Sequence, residues 1–167
     1  YIGTVIIKTN FLGDTIWTKI TDNPIFSFID CEVTDDGGFI VIGRSNDGGS
    51  NEYGLLKLDS IGQEQWSHIY DWGFVNNIVP INEVIQTTDG GYIITGATGS
   101  FGNGDSDVYL IKTDSIGDSL WTKTFGGTDN DQGGAVQQTT DGGYIITGHT
   151  DSFGNGSLDV YLIKTDG

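Results

Sequence analysis

The residues best placed to do chemistry are acids and amides clustered with glycine. Asp129-Asn-Asp-Gln-Gly-Gly134 and Asn103-Gly-Asp-Ser-Asp107 set hard oxygens two residues apart. That spacing suits Ca²⁺, so Asp129, Asp131, Asp105 and Asp107 form a candidate metal set. Neither stretch completes the full calcium loop with its terminal bidentate Glu, and Asp and Asn are also ordinary turn residues. A second cluster is aromatic. In Asp71-Trp-Gly-Phe74, Trp72 and Phe74 could stack on a sugar ring while Asp71, Asn76 and Asn77 bind its hydroxyls. The same rings could instead fold back over the base of their own loop. Arg44, Ala97 and His149 stand at equivalent points just after a strand, which reads as a solvent-facing or channel-lining site.

Catalytic patterns are missing. The chain has no G-x-S-x-G, no H-E-x-x-H, no phosphate-binding loop and no Cys/His pair. Carboxylates are too evenly spread to single out an acid/base dyad. His68 takes the place that Lys19 and Lys123 hold elsewhere, as an exposed strand residue would. Cys31 lies in the apolar-rich stretch Phe26-Ser-Phe-Ile-Asp-Cys-Glu-Val33 and is expected to be a buried, inert thiol. A lone cysteine excludes an internal disulfide framework and a Cys-based zinc site. No enzyme is expected.

Charge narrows the partners. With 23 Asp+Glu against 7 Lys+Arg, the 167-residue chain carries a formal charge of −16. Such a surface repels phosphate backbones and anionic membranes, so nucleic acid is not an expected partner. No apolar run reaches the ~18 residues of a membrane span, and membrane insertion is not expected either. Tyr1 opens no basic segment of a signal peptide, which reads as a mature, internal or trimmed chain. One Cys, no Met and an acidic surface suit an exported protein.

The elements that must position these residues repeat. Asp36-Gly-Gly-Phe39, Asp89-Gly-Gly-Tyr92 and Asp141-Gly-Gly-Tyr144 recur at intervals of 53 and 52. Lys8, Lys57, Lys112 and Lys164 close a second block, and Trp17, Trp66 and Trp121 mark a third. Residues 86–114 match 138–166 at 25 of 29 positions. Each repeat predicts four strands: Val84–Thr88, Tyr92–Gly96, Val108–Lys112 and Leu120–Phe125 in the third, with glycines supplying positive φ between the first two. β-branched and aromatic residues dominate, without helical periodicity. The first three strands are apolar almost throughout, as in a sheet covered on both faces, while the fourth alternates like an outer edge.

Four-stranded antiparallel units of this length predict an all-β chain of β-propeller blades, each packed between neighbours. Trp17, Trp66 and Trp121 are expected to wedge between blades rather than bind ligand. The run Leu-Trp-Thr-Lys-Thr-Phe-Gly-Gly-Thr-Asp-Asn-Asp (120–131), then 136–148, then Asp-Val-Tyr-Leu-Ile-Lys-Thr-Asp (159–166), resembles secreted bacterial β-propeller repeats. Such repeats occur in large surface and secreted proteins, often beside adhesion or sorting modules. The resemblance covers the whole chain, most closely 84–167; Thr21–Ser27 and Asp71–Asn82 depart from it. It implies an extracellular or cell-surface location and no catalytic residues.

The expected boundaries are 1–20 (the last two strands of one blade), 21–70 and 71–125 (two full blades), and 126–167 (a blade lacking its outer strand). Closed propellers use about four to eight blades, so the chain reads as part of a larger propeller or as one that assembles with copies of itself. Turns between first and second and between third and fourth strands are short and repeated. The opposite edge carries differing loops: Thr21–Ser27, Ser45–Glu52, Asp71–Asn82, Thr98–Asp107, Gly126–Gly134 and Thr150–Asp159. Loops that differ on a constant frame are where a partner acts. The expected function is a non-catalytic binding or structural module that mediates protein interaction or adhesion through that edge. A lectin-like propeller using Trp72, or part of a propeller-fold hydrolase or lyase, are the alternatives.

Overall fold

The computed structural model describes residues 4–21, 25–45, 52–70 and 81–166. They form thirteen strands and, among the described residues, no helix. Four antiparallel sheets follow one another along the chain. The first pairs β1 (Thr4–Thr9) with β2 (Thr15–Thr21). The second orders β3 (Ile25–Val33), β4 (Phe39–Ser45), β5 (Glu52–Leu58) and β6 (Glu64–Tyr70). The third repeats that meander with β7 (Ile81–Gln86), β8 (Tyr92–Thr98), β9 (Asp107–Thr113) and β10 (Ser119–Phe125). The fourth holds β11 (Asp131–Gln138), β12 (Tyr144–Thr150) and β13 (Asp159–Lys164). Two, four, four and three strands is the count expected from the repeats.

Consecutive sheets pack face to face, and the pleat decides which residue faces which neighbour. On β9, Tyr109 and Ile111 join the core shared with the second sheet, beside Ile40, Ile42 and Leu55. Val108 and Leu110, one residue out of step, join the core shared with the fourth sheet, beside Val136 and Ile146. A strand buried on both sides needs no polar face, which is why β8 and β9 are buried at every position. The outer strand β6 alternates exposed and partly buried residues, and β10 mixes the two without strict alternation. A third, smaller core sets Val41, Leu56 and Leu58 against Ile6 of the first sheet.

The inner strands begin earlier and end sooner than the sequence predicts. β11 starts at Asp131 because a bulge between Gly133 and Ala135 lets it continue through the glycine pair. β7 stops at Gln86 because Thr87 belongs to the turn, where its N–H donates to Gly91 and its carbonyl accepts from Gly90. Cys31 also departs from expectation: it is exposed. By register it matches Val84 and Val136, which are buried against the complete second and third sheets. The sheet before Cys31 has only two strands and leaves its side of β3 open.

Candidate functional site

Three edges of the sheets carry polar chemistry. On the short-turn edge, Asp-Gly-Gly and the block-closing lysine form one unit. Lys112 Nζ lies 2.9 Å from Asp89 and donates to the Thr113 carbonyl, while the Thr87 hydroxyl and the Gly91 N–H donate to the same carboxylate. Lys57 with Asp36 and Lys164 with Asp141 repeat the arrangement. Burial pushes the Asp89 carboxyl up, but Thr87, Lys112 and Gly91 together outweigh it and hold it at about 2. The Lys57 ammonium holds Asp36 still lower, and Lys164 does the same for Asp141. The two glycines serve different ends. Gly90 supplies positive φ (82°), whereas a Cβ at Gly91 would collide with the Thr113 carbonyl and the Lys112 ammonium. The sequence displays both blocks, but their pairing emerges only when the second strand is laid antiparallel to the third, which brings the start of one to the end of the other.

The inner edge was not foreseen. β7 and β11 each turn N–H groups toward the preceding inner strand, whose acids accept from them. Asp30 Oδ2 accepts from Val84 N at 3.0 Å, Glu32 Oε2 from Gln86 N at 2.6 Å, and Glu83 Oε2 from Val136 N. In the reverse sense, the Gln86 and Gln138 side-chain oxygens accept from Asp35 N and Thr88 N, which follow the preceding inner strands. Burial, then repulsion by Asp30, Glu83 and Asp35, pushes the Glu32 carboxyl up against the pull of the Gln86 N–H. A groove of about 650 Å³ runs here, lined by Glu32, Glu83, Gln86 and Gln138. The signal available in the sequence was the alternation of Asp30 and Glu32 with Ile29, Cys31 and Val33; Glu83 lies one residue before the predicted strand Val84–Thr88.

On the long-loop edge, Thr98–Asp107 and Gly126–Gly134 interlock. Asp131 N donates to Ser106 O at 2.7 Å, Asp151 N to Asn130 O, and Ser106 Oγ to Asn130 Oδ1. This brings together two of the four candidate metal ligands, Asp107 and Asp131, which are 2% and 0% exposed. Asp105 and Asp129 point to solvent. Burial first, then the neighbouring Asp131 charge, pushes the Asp107 carboxyl up against the Asn103 N–H that donates to it. No group of three or more His, Cys, Asp or Glu is placed to hold a metal ion among the described residues.

The remaining candidates scatter. Asp71, Trp72, Phe74, Asn76 and Asn77 lie outside the described residues. Arg44 and His149 are half-buried, and their counterpart Ala97 is fully buried rather than solvent-facing, because this position lies inside the strand and is covered by the next sheet. His68 is half-buried, stacked on Tyr70 and edge-on to Trp66. Each outer-strand tryptophan meets the first residue after the next Asp-Gly-Gly: Trp17 with Phe39, Trp66 with Tyr92 and Trp121 with Tyr144, all edge-on at about 6 Å between centroids. Trp17 and Trp66 are also covered by Gly62 and Gly117 in the next sheet's third turn, where a Cβ would strike the indole. The fourth sheet has no such turn, and a cleft of about 890 Å³ opens beside Trp121, Leu120, Lys123 and Lys164.

The inner-edge acids and the tryptophans brace one sheet on the next, while the Asp-Gly-Gly and lysine units tie neighbouring strands of one sheet together. No protein-family model matches the chain, and the curated proteins contain no match to it.

Proposed function

We propose that the chain is a non-catalytic structural and protein-binding module, built as consecutive β-propeller blades and working outside the cell. One comparison within the molecule carries this reading. Val108 and Leu110 are fully buried by the following sheet, yet Val160 and Leu162, in the identical sequence Asp-Val-Tyr-Leu-Ile-Lys, are 88% and 62% exposed. At the other end Val5 and Ile7 are more than half exposed, and they lie on the face of β1 opposite Ile6, which packs on the second sheet. The two open faces are thus the two halves of the contact made at every internal junction. A further sheet of the same kind, from the same polypeptide or a second copy, fits them. The acidic surface and single cysteine suit an exported protein, and loops that differ on a constant frame suit a protein ligand.

Sedimentation of the chain, alone and as the double variant V160D/L162D, tests this. Concentration-dependent association that the double variant abolishes, with its melting temperature kept, is the expected result. A chain that stays monomeric at millimolar concentration, with Val160 and Leu162 tolerating charge without effect, removes the stacking role.

A further inference from the structure

Asp107 and Asp131 pose a problem of charge. Both carboxylates are withdrawn from water, and they come from different sheets, Asp107 at the start of β9 and Asp131 at the start of β11. Gly126 lies between them; a Cβ there would collide with both. No ion pair among the described residues joins either to a lysine, arginine or histidine. Each carboxylate commits one oxygen to protein donors. Asp107 Oδ2 accepts from Asn103 N at 2.7 Å, and Asp131 Oδ2 accepts from Gly127 N at 2.8 Å and Ser152 Oγ at 2.7 Å. Asp131 Oδ1 is fully buried and accepts no hydrogen bond. Two buried like charges with an orphaned oxygen are relieved either by a proton on one carboxylate or by a bound cation, because the low dielectric makes both the repulsion and the lost hydration costly.

We infer that Asp107 and Asp131 bind a calcium ion at the junction of the third and fourth sheets. Hard carboxylate oxygens select a hard cation, and calcium's flexible coordination accepts hydroxyl, main-chain and water oxygens for the rest of its shell. The exposed Asp105 and Asp129 take no part. Bound there, the ion ties the Thr98–Asp107 loop to the Gly126–Asp131 connection and so fixes the shape of the loop edge. This inference stands apart from the stacking role, since it concerns an internal junction and not the open faces.

Terbium(III) is the probe, because Tyr161 packs against the core shared by the third and fourth sheets and can sensitise the ion's emission. Expected are terbium emission excited through tyrosine, its displacement by Ca²⁺, and a melting temperature raised by Ca²⁺ and lowered by chelator. D107N and D131N should each weaken binding on the order of tenfold or more. In chelator the same variants should melt no lower than the parent, because they relieve the repulsion, which separates lost binding from lost folding. D105N and D129N should bind as the parent does. The inference is overturned if Ca²⁺ leaves the parent's melt unchanged and displaces no terbium. It is equally overturned if all four variants weaken binding alike, which marks diffuse attraction to an acidic surface.

Discussion

At Asp89 the carboxyl is held at about 2 against an ordinary value of 3.8, and that depression belongs to the folded state alone. A carboxylate whose pKa falls on folding contributes stability that is complete above its unfolded value and is lost as pH falls through its folded one. The fold should therefore weaken from about pH 4 down through pH 2, with Asp36 and Asp141 prolonging the loss. Glu32 acts in the opposite sense: its raised pKa makes the fold gain stability as it takes up a proton. Melting temperature measured in pH steps should pass through a maximum in the weakly acidic range, and D89N should flatten the acid limb. Position along the chain grades these pairs. Lys112 is 5% exposed and Lys164 42%, so K112M should cost about 1–2 kcal/mol and K164M clearly less, read by denaturant unfolding.

Among the elements, the inner strands reverse the usual problem of an exposed sheet edge. Their free N–H groups meet carboxylates of the preceding strand instead of water or another chain. Removing Glu83 orphans Val136 N, a donor on a residue only 4% exposed. E83A should lower stability by about 1–3 kcal/mol, whereas E83Q, which keeps an acceptor, should lose roughly half as much. Thermal melts of the two, compared at one pH, check this. The strands themselves were legible because short β-branched and aromatic runs and Asp-Gly-Gly turns are local properties. Their acidic caps were not, because Glu83 and Val136 are 53 residues apart and nothing local distinguishes a capping glutamate from a solvated one.

For the whole molecule, matching positions of the repeats acquire different environments. Cys31 is open where Val84 and Val136 are buried, and the sheet before it has two strands where theirs have four. A thiol reagent should therefore label Cys31 in the native protein at nearly the rate seen after unfolding. Slow labelling of the folded chain would show that the first sheet covers β3. The same logic explains the cleft beside Trp121, which lacks the turn that covers Trp17 and Trp66.

The amino-acid sequence by itself determined the thirteen strands, their order and their grouping, since hydrophobic period and turn chemistry act over a few residues and recur with each repeat. Which acids would be solvated and which buried was decided only by the tertiary structure. Asp105, Asp107, Asp129 and Asp131 look alike in their loops. Packing one sheet on the next buries Asp107 and Asp131 and leaves the other two in water, because burial depends on what a different repeat brings to the junction.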